Sequence, residues 1–106
     1  MDEKVVRDIL WTDRAKSTFE SVVNYLSIEW SEKEVKNFIQ STNELTAAIQ
    51  YYPEMFKASR KHKNIRIGLI TKHTQLVYHY KPKKRQIVIL YFWGTQQNPK
   101  KKNQPV

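Results

Sequence analysis

The chain opens on a short β-branched and apolar run, Val5-Val6-Arg7-Asp8-Ile9-Leu10-Trp11, which predicts a strand over about 4–11. Thr12 then offers a capping hydroxyl and Asp13 puts negative charge at a helix start. From there Ala15, Phe19, Val22, Val23, Leu26 and Trp30 recur at helical spacing and form one apolar stripe. Ser31-Glu32-Lys33-Glu34 is a capping box, in which the Ser31 hydroxyl accepts from the Glu34 amide and the Glu34 carboxylate reaches back. It opens a second amphipathic helix with Val35, Phe38, Ile39, Thr42, Leu45, Ile49 and Tyr52 on one face. Pro53 cannot continue that helix and stops it.

Two long helices meeting at a capping box read as an antiparallel hairpin, and their joint apolar slab needs a sheet beneath it. Residues 54–63 form a basic connector, and three strands follow at about 64–71, 74–81 and 86–93. Lys72-His73 and Pro82-Lys83-Lys84-Arg85 join them, short enough for antiparallel hairpins. The last strand, Gln86 to Trp93, is apolar on both faces, which places it inside the sheet. The expected fold is α+β, in the order β-α-α-β-β-β, with the helical hairpin on one face of an antiparallel sheet. At 106 residues there is room for one domain, read as 1–93, with 94–106 a polar, lysine-rich and flexible tail.

Charge divides the chain more sharply than its total of +9 suggests. Residues 1–56 carry six basic and ten acidic side chains, whereas 57–106 carry thirteen basic and no acidic ones. The second half should therefore seek polyanions or acidic protein. No cysteine is present, which excludes disulfides, a thiol nucleophile and a cysteine-based zinc site and suits a reducing cytoplasm. Met1-Asp2-Glu3-Lys4 lacks the cationic head of a signal peptide, and the longest apolar run, Ile87 to Trp93, falls far short of the ~20 residues that span a bilayer. A soluble, cytoplasmic protein without a membrane partner is expected.

Little catalytic chemistry is on offer. His62, His73 and His79 have no metal-ligand spacing, and the cationic half holds no carboxylate to complete a site, so neither metal nor cofactor is expected. Glu20, Glu29 and Glu44 read as solvated helix charges, and two glycines, Gly68 and Gly94, cannot build a phosphate-cradling loop. Cations aimed at phosphate remain: Lys57, Arg60, Lys61 and Lys63 in the connector, and Lys81, Lys83, Lys84 and Arg85 around the second turn. If Ile65, Ile67 and Leu69 face the helices, alternation presents Arg66 and Gly68 on the open face of the sheet. Tyr78, Tyr80, Tyr91, Phe92 and Trp93 interleave with this charge, as core or as platforms for unpaired bases. Either Leu76, Tyr78 and Tyr80 or Val77 and His79 face the helices; only in the first arrangement is His79 a candidate general acid or base.

The pattern resembles the RelE/ParE toxin superfamily of bacterial type II toxin–antitoxin systems, on the ParE-like side. The resemblance runs through Ile9-Leu10-Trp11-Thr12, Ala15, Val23, Tyr25-Leu26, Trp30-Ser31, Phe38, Ile49, Pro53, Asn64-Ile65-Arg66, Leu76-Val77-Tyr78, Ile87-Val88-Ile89-Leu90 and Asn98-Pro99-Lys100-Lys101. It covers about residues 8–102, by order and spacing rather than by any single motif. It implies a helical hairpin on a sheet in which the first strand joins the later three. It also implies a growth inhibitor, associated with plasmid stabilisation, held inactive in a hetero-oligomer with a cognate antitoxin that contributes an extended or helical, often acidic, segment.

Superfamily members either inhibit DNA gyrase or cut messenger RNA on the ribosome without a metal, and fold does not choose between the two. By resemblance Arg66 matches the strand arginine that steadies the scissile phosphate in the nuclease branch, and Lys61 and Lys63 fall where that branch places further cations. Similar sequences often carry an arginine where Gln96 stands, so the acid–base set here is incomplete, with Tyr91 its local replacement. The resemblance thus favours a gyrase inhibitor, with ribosome-dependent, metal-independent endoribonuclease action as the alternative. A basic nucleic-acid-binding module without toxicity is the reading from another class, and its affinity would fall steeply with salt.

Overall fold

The computed structural model describes residues 6–94. Its elements are β1 (Asp8–Trp11), α1 (Asp13–Glu29), α2 (Glu32–Tyr51), β2 (Ile65–Thr71), β3 (Thr74–Lys81), a 3-10 turn (Pro82–Lys84) and β4 (Gln86–Gly94). Thr12, Ser31 and Pro53 act as the sequence predicts, whereas the return bond of the Glu34 carboxylate is absent among the described residues. Thr12 accepts from the Ala15 amide at 2.9 Å, and the same hydroxyl donates to the Leu90 carbonyl at 2.8 Å, which fixes the start of α1 to β4. Ser31 accepts from the Glu34 amide at 3.4 Å, and α2 stops at Tyr51, two residues before Pro53.

The four strands lie in the order β1-β4-β3-β2, so the apolar β4 is interior. β2–β3 and β3–β4 are antiparallel, but β1 runs parallel to β4, with Asp8 opposite Gln86 and Trp11 opposite Ile89. The sheet is therefore mixed rather than antiparallel throughout. The cause is the hairpin: α1 continues in the sense of β1 and α2 returns the chain, so β2 starts at the end where β1 started. Two tight hairpins later, β4 again runs with β1, a pairing that a long crossover alone permits. Past Trp11, α1 takes over the edge of β4, where the Thr18 hydroxyl accepts from the Phe92 amide at 2.9 Å. Leu90 is bulged out between the Val77–Tyr91 and Tyr78–Ile89 pairs.

The core lies between the hairpin and the sheet. Val22, Phe38, Thr42 and Ile49 from the helices meet Leu76, Tyr78, Ile87, Ile89 and Phe92, all at most 3% exposed. Trp11, Phe19, Phe38 and Phe92 form an aromatic cluster with ring centroids 5.1–6.2 Å apart. Three members of the expected stripes, Trp30, Ile39 and Tyr52, are exposed instead. Tyr52 lies beyond the end of α2, and Trp30 caps α1 at the mouth of a cavity of about 620 Å³ between the hairpin tip and the β2–β3 turn.

One orientation is corrected. Arg66 pairs with the core residue Tyr78, and Gly68 with Leu76, so both face the helices while Ile65, Ile67 and Leu69 face away. The reason is Phe56, whose ring stands 3.0 Å from where a Cβ on Gly68 would be, with Leu45 at 3.3 Å. A connector residue fills the space that only glycine leaves. Gly94, placed in the tail by the sequence, is the last residue of β4 and pairs with Thr74; the tail itself, 95–106, lies outside the described residues, as does the start of the expected first strand.

Candidate functional site

Strand direction brings both cationic runs to one end of the sheet, where β2 and β4 begin and β3 ends. The connector is shaped rather than slack. The Ser59 amide donates to the Ile65 carbonyl at 2.7 Å, the Ile65 amide to the His62 carbonyl at 3.0 Å, and Ala58 bridges to Arg66. This loop holds Arg60, Lys61 and Lys63 exposed beside the edge strand, with exposed Lys57 leading into it. Across the sheet, Lys83, Lys84 and Arg85 are exposed on the second turn and Lys81 is half-buried. Arg85 closes that turn with φ 50°, the left-handed region that glycine or asparagine usually fills, and its carbonyl accepts from the Asp8 amide at 3.0 Å.

On the face away from the helices, His79 lies opposite Ile65 and Val88. The core set is Leu76, Tyr78 and Tyr80, so His79 takes the one orientation in which the sequence made it a candidate acid or base. Its pKa is lowered, first by burial, then by Lys81 and His62, so the site disfavours the protonated imidazole. His62, absent from the sequence-level candidates, joins them here because the loop folds back onto β2 and β3.

The other proposed catalytic groups are elsewhere. Arg66 points to the helix side, where its guanidinium donates to the Phe56 carbonyl at 2.6 Å and lies 3.9 Å from the Glu54 carboxylate. Its Nε is buried with no hydrogen-bond partner among the described residues. That places it as a strut for the 53–57 loop rather than as a cation displayed on the open face. Tyr91 shares a face with His79 but pairs with Val77, one diagonal away (~7–8 Å between Cα atoms), and the Arg14 guanidinium covers its ring at 4.0 Å. Lys61, His79, Arg66 and Tyr91 are thus not assembled around one point. Gln96 lies outside the described residues.

Beneath Arg66, Tyr78 donates to the Pro53 carbonyl at 2.6 Å. Burial, opposed by Arg66 and reinforced by Glu54, pushes its phenol up to about 12 from 10.0. The folded pKa exceeds the unfolded one, so this contribution to stability is complete below pH 10 and disappears as pH rises toward 12. Urea melts from pH 8 to 11.5 should show a loss on the order of 2 kcal/mol from this group. Tyr78→Phe should flatten that slope while lowering stability at neutral pH by roughly 1–3 kcal/mol through the undonated carbonyl.

Neither a family model nor a curated protein matches the sequence. Solved structures do match the fold. A chain of the RelBE2 toxin–antitoxin complex from Mycobacterium tuberculosis is 12% identical with a TM-score of 0.61, over 89% of this chain and 97% of its own. A chain of the chromosomal ParDE toxin–antitoxin system from P. aeruginosa is 13% identical with a TM-score of 0.66, over 86% of this chain and 98% of its own. At that identity the likeness is one of architecture: two helices on a four-stranded mixed sheet, the fold shared with these RelBE2 and ParDE chains.

Proposed function

We propose that this chain is the toxin of a toxin–antitoxin pair, and that it acts by occupying its target through the cationic end of the sheet rather than by cutting it. The observation that supports non-cutting action is the scatter of the catalytic candidates. Metal-free cleavage needs a base, an acid and a cation around one phosphate, whereas Arg66 serves the 53–57 loop and Tyr91 lies under Arg14. DNA gyrase is the favoured target, and the cytoplasm the compartment that holds it. A partly acidic antitoxin segment would compete for the same cations (Lys57, Arg60, Lys61, Lys63, Lys81, Lys83, Lys84, Arg85). Among the described residues no helix is long and apolar enough to cross a membrane.

One observation favours a second reading, cleavage of ribosome-bound messenger RNA: a neutral His79 beside Lys81 and His62 could exchange a proton with a bound strand. Purified chain added to a gyrase supercoiling assay and to translating ribosomes separates the two. Loss of supercoiling with intact messenger is expected. Messenger fragments that disappear in His79→Ala, with supercoiling untouched, would establish the second reading instead.

A further inference from the structure

At the same end of the molecule, on the helix side, a cleft of about 490 Å³ opens between the end of α2 and the starts of the two cationic runs. Its walls are Tyr51, Tyr52, Met55 and Tyr80, with Glu54 and Arg7 as polar groups. Tyr51 and Tyr52 are 45% and 69% exposed, so two adjacent aromatic rings present their faces to solvent. The cleft is built: Arg7 donates to the Tyr51 carbonyl at 2.9 Å, and Gln50 donates to the Arg7 carbonyl at 2.8 Å, clasping the end of α2 to the chain entering β1. Pro53 ends α2 so that both rings project beside the loop.

We propose that this cleft is a subsite for one unpaired nucleobase of a single-stranded nucleic acid whose phosphates lie on the flanking Lys/Arg runs. Stacking surface, hydrogen-bonding edge and phosphate cations are the three things a strand needs, and they adjoin here. One run starts at Lys57, two residues after Met55; the other starts at Lys81, directly after Tyr80. The Tyr51 and Tyr52 rings are tilted 45° with centroids 6.5 Å apart, an open wedge rather than parallel jaws. A base therefore stacks on the more exposed ring, Tyr52.

The Glu54 side chain is 70% exposed and, as a carboxylate, only accepts, so it favours bases that carry an exocyclic amino group, cytosine, adenine or guanine, over uracil, which has none. Tyrosines and a carboxylate would equally suit a cationic side chain. Two facts decide against it: Arg7 already stands over the Tyr80 ring at 6.0 Å, and the eight Lys/Arg of the two runs repel a cation while attracting a phosphate backbone.

The inference is separate from the toxin reading. A chain that binds strands through this cleft but arrests no growth keeps the former and loses the latter. The test is fluorescence anisotropy of the full chain with labelled 12-nucleotide oligo(C), oligo(A) and oligo(U) RNA and a duplex of equal length, over a salt series. Tyr52→Ala should weaken oligo(C) binding by roughly 5- to 100-fold, as loss of one stacked base does. The salt slope and duplex affinity should be unchanged, and Tyr52→Trp should restore binding. Glu54→Ala should erase the preference for oligo(C) and oligo(A) over oligo(U), with thermal melting to verify the fold. The proposal is overturned by wild-type protein that binds no single strand, by Tyr52→Ala at wild-type affinity, or by equal losses for strand and duplex. A Tyr52→Ala variant that keeps strand binding but no longer binds a protein partner would likewise overturn it, making the cleft a protein-docking site.

Discussion

Changing Lys61, Lys63, Lys83 and Lys84 together to Glu should abolish target binding and growth arrest while leaving the fold unaltered. All four side chains are exposed, and none carries a packing role in the core. The exchange moves the net charge from +9 to +1, cancels the positive charge of the two runs and sets four carboxylates where phosphate would lie. Like-charge juxtaposition costs several kcal/mol, so affinity for a polyanionic target should fall on the order of 100-fold or more. Surface substitutions of this kind usually change stability by within about ±0.5 kcal/mol each, so a melting curve distinguishes lost binding from lost structure. The two loops should act jointly, because strand direction puts them at one end: each pair of substitutions alone should give about half of the logarithmic loss. Arg85 is left out of the set because its left-handed backbone makes any change there a test of the turn as well as of charge.

Phe38→Ala is the substitution expected to cost the most stability. Phe38 is 1% exposed and stacks on Phe19 at 5.1 Å with its edge toward Phe92, so truncation opens a hole where both helices and β4 meet. Large-to-small changes of a buried Phe cost about 3–5 kcal/mol, a large share of the roughly 5–15 kcal/mol that holds a domain together. For a domain of this size each kcal/mol shifts Tm by about 4–8 °C, so a fall of more than 10 °C is expected by calorimetry. Phe38→Leu should recover much of it. A drop of only a degree or two would mean that the aromatic cluster is not the centre of the core.

The elements were legible because their punctuation is local. Thr12, Ser31 and Pro53 bound the helices, and the strands read as 64–71, 74–81 and 86–93 lie within a residue of Ile65–Thr71, Thr74–Lys81 and Gln86–Gly94. The face of β2 was not legible, since both of its parities carry apolar residues: Ile65, Ile67 and Leu69 on one, Ile70 beside Arg66 and Gly68 on the other. The deciding contact, the Phe56 ring over Gly68, comes from a connector with no periodicity. The parallel β1–β4 pairing was hidden for a related reason, because it depends on the path of the hairpin rather than on any residue within β1.

The candidate site divides in the same way. That two lysine-rich segments exist is plain in the sequence; that they share one end of the sheet follows only from strand order. Alternation leaves the orientation of His79 open, and the core position of Tyr78 and Tyr80 fixes it. Arg66 reaches the open face only if Ile65, Ile67 and Leu69 meet the helices; they do not, and it supports the loop that carries Glu54 and Phe56. The periodicity puts Tyr52 at the end of a helical stripe and gives Tyr51 no role, although the sequence does carry a signal: two adjacent tyrosines before a helix-stopping proline cannot both point into the core.

Growth after induction of the chain alone in bacteria tests the central claim most directly. The account predicts arrest by the wild-type chain and normal growth with the four-glutamate variant at equal abundance. Wild-type protein that accumulates in folded form while the culture grows like its uninduced control would contradict it.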